Sequence, residues 1–271
     1  MNKPEKATHI VHWLAKFGCI AIAIVYAMIG IVAILSFLKI KDGGADEGSI
    51  LAFLADVPFG KVVIGIIFLG MLCFICWRIY ETIKDPYNYG NDLHGLGKRT
   101  GIVLSALADA LIAFAALQAL LGNSSAQKDG QPEQEREMVA DVLQWQAGEL
   151  LIGGLGVVII ITAIVQFYYA ISYSYKERFV IRHLSKTKQK LIHIVAWVGH
   201  FARGVILAIM GYFLLHASIA NKPQDVVNTD KAFDFIGDHI GHVYFILIAA
   251  GTITYGVFMF LQGLFYDFDK D

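Results

Sequence analysis

Six long apolar stretches, at residues 13–40, 61–84, 100–121, 150–173, 194–220 and 243–265, dominate this chain. At about 1.5 Å of rise per residue, each is long enough as a helix to cross a hydrocarbon layer of about 30 Å. In such a layer a single apolar run satisfies its own backbone N–H and C=O groups only as an α-helix. The composition agrees: 17% of the 271 residues are charged and 56% hydrophobic, against roughly 25% charged in a soluble domain. The first stretch has no small-residue cleavage site and is expected to remain as a span. The three cysteines, Cys19, Cys73 and Cys76, all fall within the first two stretches. Their odd number and their depth exclude a secreted disulfide framework.

The connections between the stretches alternate in charge. The first carries Asp42, Asp46, Glu47 and Asp56, the third Asp129, Glu133, Glu135, Glu137, Asp141 and Glu149, and the fifth Asp225, Asp230, Asp234 and Asp238. The second carries Lys98 and Arg99 beside Lys84, and the fourth Lys176, Arg178, Arg182, Lys186, Lys188 and Lys190. An excess of Lys and Arg marks cytoplasmic loops, so both termini are expected inside. The acidic tail (Asp267, Asp269, Asp271) does not oppose this, because acidic residues weigh little in the rule. The basic loops read as contacts to anionic lipid head groups, with no nucleic acid expected.

The stretches also repeat. Gly18, Ala23 and Gly30 recur at the same offsets as Gly199, Gly204 and Gly211, and as Gly101, Ala106 and Ala113. Small residues so spaced let helix backbones approach where lipid supplies no hydrophobic drive between them. Each acidic connection ends in a short helical pattern closing on glycine, at 52–60, 140–148 and 232–241, expected as amphipathic helices lying on the outer interface. The units are 1–92, 93–185 and 186–271, each one hairpin of two spans.

Several of these residues carry a likeness to a known family. They are Leu51-Ala52, Leu54-Ala55 and Pro58-Phe59-Gly60-Lys61; Trp77-Arg78 with Glu81; Arg203-Gly204 with Gly211; and Tyr255-Gly256. In these the chain resembles the bacterial membrane family called domain of unknown function 1206, three tandem two-helix repeats. The second unit departs from the pattern, lacking the Pro-Phe-Gly element and carrying a polar insertion at 123–137. The resemblance implies this fold and a location in the bacterial inner membrane. It implies no activity.

Among residues that could carry chemistry, Asp109 stands out. About ten residues into its span it lies near mid-membrane, where an ionisable group needs a partner. It sits eight residues after Gly101, and Arg203 four after Gly199. Those offsets share a helical face one turn apart, so the two are expected to meet across the bundle, directly or through water. Tyr26 aligns with Asp109, and Gln166 with Arg78; both are candidates for the same interior, as is His200. Arg78 and Glu81, at i and i+3, are expected to pair near the inner end, with Arg78 reaching toward the interface.

No cofactor is expected. A metal shared by His12, His94 and His193 has no supporting local ligand spacing, and a haem on His216 and His242 is the other cofactor reading left open. Cys73 and Cys76 read as packing residues, Gly153-Gly154-Leu155-Gly156 as a close-packing surface rather than a phosphate loop, and Asn123–Ser125 as an unused sequon.

The sequence thus points to an all-α integral membrane protein of six transmembrane helices, three repeated hairpins around a pseudo-threefold axis, with short interfacial helices in the outer loops. No nucleophile–base pair marks an enzyme. The leading expectation is a non-enzymatic module that binds a protein partner, lipid or its own copies. The alternative is a proton, ion or small-solute conduit using Asp109 and Arg203.

Overall fold

The computed structural model describes residues 4–40, 44–85, 88–122, 131–172 and 185–265, with side chains from Trp13 onward except those of His94, Leu104, Ser105, Leu107, Ala108, Leu111 and Gln134. The side chains of His12 and His94 lie outside the described residues, as do the sequon at 123–125, Lys176, Arg178, Arg182 and the acidic tail.

Among the described residues the regular structure is all helical, with no strand. The long helices are α1 (Pro4–Phe37), α3 (Gly60–Lys84), α4 (Leu93–Leu121), α6 (Gly148–Ser172), α7 (Lys186–Ala220) and α9 (His242–Phe265). Between them lie the short α2 (Glu47–Asp56), α5 (Glu133–Leu143) and α8 (Thr229–Phe235), the last continued by a π-turn at Ile236–Ile240. Among the described residues five helices (α1, α3, α6, α7 and α9) are long and apolar enough to cross a membrane. α4 runs beside them for 29 residues, but its apolar segment among the described residues is only Ile112–Leu121.

The long helices form a ring in the order α1, α3, α4, α6, α7, α9, each antiparallel to its neighbours. Glycine sets the closeness of the contacts. A Cβ on Gly256 would come 2.8 Å from the Ala23 carbonyl oxygen, so α9 lies against α1 backbone to backbone. A Cβ on Gly211 would come 2.7 Å from Ile160 and one on Gly156 2.8 Å from Leu215, which joins α6 to α7 in the same way. α3 and α4 are held in register by Arg99, whose Nε donates to the Thr82 carbonyl at 2.9 Å.

The weak joint is between α4 and α6, the two long helices of the middle repeat, which touch far less than α1 with α3 or α7 with α9. Repeat alignment gives the reason. A Cβ on Gly18 would overlap Phe74, and one on Gly199 would overlap Tyr255. Phe74 lies fourteen residues after Gly60, and Tyr255 fourteen after Gly241. In the middle repeat that position is Thr162, and Gly101 has nothing within 4 Å of where its Cβ would be. A glycine–aromatic contact that closes the first and third repeats is missing from the second.

The short helices do more than lie flat on an interface. α2 begins at Glu47, earlier than the sequence pattern suggests, because Asp46 caps it by accepting from Ser49 N at 3.1 Å. Its residues Ile50, Leu51 and Leu54 are buried among α1, α3 and α4. α8, capped by Asn228, likewise buries Ala232 and Phe233. The two sink into one end of the ring, here the cap end. α5 is shallower, burying Val139 while Met138 is exposed.

A turn recurs at the start of α3 and α6. Gly60 N donates to the Val57 carbonyl at 2.8 Å, and Gly148 N to the Trp145 carbonyl at 2.9 Å. In both, a Cβ would collide with the carbonyl oxygen six residues earlier, Leu54 or Val142. Gly60→Ala or Gly148→Ala should therefore destabilise the protein by about 2–4 kcal/mol. Gly65→Ala and Gly154→Ala, which meet nothing, should be near neutral; thermal unfolding in one detergent compares all four.

Candidate functional site

The ring encloses a column of buried polar groups. At its middle, Arg203 of α7 and Asp109 of α4 face each other, 5% and 1% exposed. Arg203 Nη2 lies 3.7 Å from Asp109 Oδ1. That is an ion pair too long for a direct hydrogen bond. Asp109 Oδ1 and Arg203 Nε have no hydrogen-bond partner among the described residues. The guanidinium is held instead by two aromatic faces, with its carbon 4.5 Å from the Tyr26 ring centroid and 4.8 Å from that of Tyr255. Tyr26 and Tyr255 meet edge to face at 5.0 Å. A desolvated cation on one such face gains about 2 kcal/mol, comparable to the cost of about 2.5–3.5 kcal/mol for placing Arg at the centre of a membrane helix.

Toward the far end, His200 lies three residues from Arg203, about 4.5 Å along the helix, and is 6% exposed. Its Nδ1 donates to Gln166 Oε1 of α6 at 2.6 Å, and its ring packs on Tyr255 and Phe258. Deeper still, Arg78 Nη1 donates to Glu81 Oε2 at 2.9 Å. The sequence suggested that Arg78 would reach toward the interface. It is instead 9% exposed, because Glu81, fully buried one turn on, and the Phe74 ring, 4.6 Å from its guanidinium, draw it inward. From there it is within electrostatic reach of Asp109.

A cavity of about 50 Å³ lies between these groups, where the middle repeat lacks its aromatic contact. Arg78, Thr162, Gln166, Tyr169, His200 and Gln262 supply its polar lining, and Gly101 and Ile102 its α4 wall. A water needs about 10–15 Å³ of such space and two to four polar partners, so the cavity accepts about three.

Toward the cap end, Glu47 continues the column. Its Oε2 accepts from Thr229 Oγ1 at 3.1 Å, and it is within electrostatic reach of Arg203. Burial raises its pKa above the usual carboxylate value, as it does for Asp46. Beside them Asp230 Oδ1 accepts from Ala45 N at 2.6 Å, tying the chain before α2 to α8. Burial pushes the Asp230 pKa up to about 6.

Sequence reasoning missed Glu47, Tyr255, Thr162 and Gln262 as parts of this column. Aligning the even helices would have found the last three: Thr162 and Tyr255 share one repeat position with Phe74, and Gln262 shares another with Glu81 and Tyr169. For a metal, no group of three His, Cys, Asp or Glu comes together among the described residues. His193 is partly buried near the start of α7. His216 Nδ1 is 3.0 Å from Asp225 Oδ2, and the His242 ring packs on Phe37. Cys73 and Cys76 are free thiols; Cys76 is exposed on the outer face of α3, so only Cys73 packs.

Two measurements follow from this geometry. Asp109→Asn leaves a buried guanidinium without its counter-charge and should cost about 3–5 kcal/mol. Replacing both partners, as Asp109→Leu with Arg203→Leu, should cost less than that single change; urea or thermal unfolding in detergent checks the order. Asp230, with its pKa raised on folding, binds a proton more tightly folded than unfolded. Its protonated form therefore stabilises the fold at low pH, and that contribution is lost as pH rises through about 6. Asp230→Asn should be more stable than the wild type at pH 7.5 by about 1–3 kcal/mol, and the gap should close below pH 4.

Comparison with known proteins comes to the same repeat. A protein of Bacillus subtilis (strain 168), described as "Uncharacterized protein YxxB", is 27% identical over 256 residues, covering 93% of this chain and 91% of its own. No solved structure matches the chain. The family described as "Domain of Unknown Function (DUF1206)" matches three times in tandem, over residues 17–85, 100–172 and 198–266. These three matches cover most of the sequence, and on that ground the chain belongs to the DUF1206 family.

Proposed function

We propose that this protein conducts protons across the bacterial inner membrane through the polar column at the centre of its helix ring. In this reading six helices span, as three hairpins (1–92, 93–185 and 186–271) around a pseudo-threefold axis. Both termini are cytoplasmic, the cap end faces outward, and no enzyme chemistry or cofactor is needed. The carrying observation is the set of ionisable and hydroxyl groups gathered inside the ring, with Asp109, His200, Glu81, Arg203 and Arg78 buried and Tyr26 and Glu47 within electrostatic reach of Arg203. A bundle that only had to pack would avoid these charges, since each is costly at membrane depth. The cavity beside His200 and Gln166 has room and polar partners for water, on what is the inner side in this reading. The prolines, all outside the spans, leave straight helices that suit a fixed path better than alternating access. Exposed Lys186, Lys188 and Lys190 at the start of α7 suit anionic lipid head groups on that side.

The test is proton flux into liposomes holding the purified protein, driven by a potassium diffusion potential and read by an internal pH dye. Wild-type flux should exceed that of empty liposomes, and Asp109→Asn should lower it at least about tenfold. Thr162→Phe restores the missing contact opposite Gly101, so it should fold, fill the cavity and block flux. Flux no greater than that of empty liposomes would overturn the reading. The second reading is a non-enzymatic module binding a protein partner, lipid or its own copies. It is favoured by the way Tyr26 and Tyr255 clamp Arg203 as a packing pin would. Under it Asp109→Asn costs stability alone.

A further inference from the structure

At the cap end the column reaches a residue that the sequence hid in a loop. Glu47 belongs to the first turn of α2, beside the capping Asp46, in an acidic connection that by composition alone is merely solvated. Its side chain instead turns toward the bundle. Thr229 of α8 donates to it at 3.1 Å, and the same hydroxyl lies 3.9 Å from the Met210 sulfur of α7. Arg203 of α7 and Tyr26 of α1 are both within its electrostatic reach. Tyr26 in turn is within reach of Asp109, so its hydroxyl feels both carboxyl groups.

Above Glu47, α2 and α8 close the ring. Ala45 N donates to Asp230 at 2.6 Å, Lys231 pairs with Asp234 at 2.7 Å and lies 3.9 Å from Asp230, and Ile50, Leu51 and Phe233 are buried beneath. This joins the first repeat to the third. The charged and titratable groups within electrostatic reach of Glu47 are thus the capping Asp46, Arg203 from α7 and Tyr26 from α1, with Asp230 and Lys231 of α8 in the closure above.

We infer that Glu47 is the group through which protons pass between outside water and the Asp109–Arg203 centre, beneath a lid formed by α2 and α8. The inference rests on the conduit reading. The step is a proton transfer between oxygens: hydronium gives its proton to the Glu47 carboxylate and leaves as water. The proton then passes inward to the Asp109 carboxylate, and Glu47 returns to its ionised form. Burial raises its carboxyl pKa above the usual carboxylate value, which favours the protonated form more than water does. Thr229 positions the carboxyl without taking the proton.

The experiment compares wild type, Glu47→Gln, Glu47→Asp and Asp109→Asn in the same liposome assay. Glu47→Gln should lower flux at least about tenfold, and Glu47→Asp, which keeps a carboxyl, should restore part of it. Dicyclohexylcarbodiimide, which attacks protonated carboxyl groups in apolar surroundings, is applied to unaltered protein, so the result does not depend on how a variant folds. Modification of Glu47, read by peptide mass, should rise as pH falls, and flux should fall in step. Full flux in Glu47→Gln, or in protein whose Glu47 is fully modified, with Asp109→Asn inactive, would overturn the role of Glu47 and leave the conduit standing. Absence of wild-type flux would overturn both.

Discussion

Arg203 is the constraint around which the rest of the bundle is arranged. A guanidinium cannot shed its charge, so a helix that carries one at mid-depth must supply charge, aromatic faces or water wherever it packs. Here the neighbours divide that task. α4 brings Asp109 to 3.7 Å, α1 brings Tyr26, and α9 brings Tyr255. Three repeats therefore contribute to one cation, and none of the three can satisfy it alone. That makes the ring order a matter of electrostatics as much as of packing, because α1, α4, α7 and α9 must all face one point.

Divergence between the repeats created the room around that point. The first and third repeats close with a glycine set against an aromatic residue, Gly18 on Phe74 and Gly199 on Tyr255. The second has Gly101 and Thr162 in those places, and the two helices part there. The space falls beside His200, Gln166 and Arg78, so loss of one apolar contact opened a polar cavity in a bundle that is otherwise tightly joined. A symmetric bundle would be filled at this level. An asymmetric one holds a site.

Much of this was legible in the sequence, for physical reasons that can be named. The long helices announce themselves because hydrocarbon tolerates few alternatives, and their ends fall within a few residues of the apolar runs, except where α1, α4 and α7 extend further toward the far end. Repeat offsets set Asp109 and Arg203 on facing sides, and the two lie 3.7 Å apart. The inward turn of Arg78 was hidden, since whether a long side chain reaches out or in depends on partners such as Glu81 and Phe74 that only tertiary packing fixes. Glu47 was hidden for the opposite reason. In an acidic connection one carboxylate looks like any other, and only the descent of α2 into the ring distinguishes it from Asp56. The depth of α2 was hidden on the same point: its apolar residues Ile50, Leu51 and Leu54 pack on α1, α3 and α4, which composition alone does not show.

The central claim is that the column carries protons rather than only holding the ring together. Planar bilayers containing the purified protein, with unequal pH on the two sides and symmetric salt, test it most directly through the voltage at which current reverses. The account requires the reversal voltage to follow the pH difference, at about 59 mV per unit, and to ignore a gradient of potassium or chloride. A reversal voltage that follows the salt gradient, or an absence of current above the bare bilayer, would contradict it.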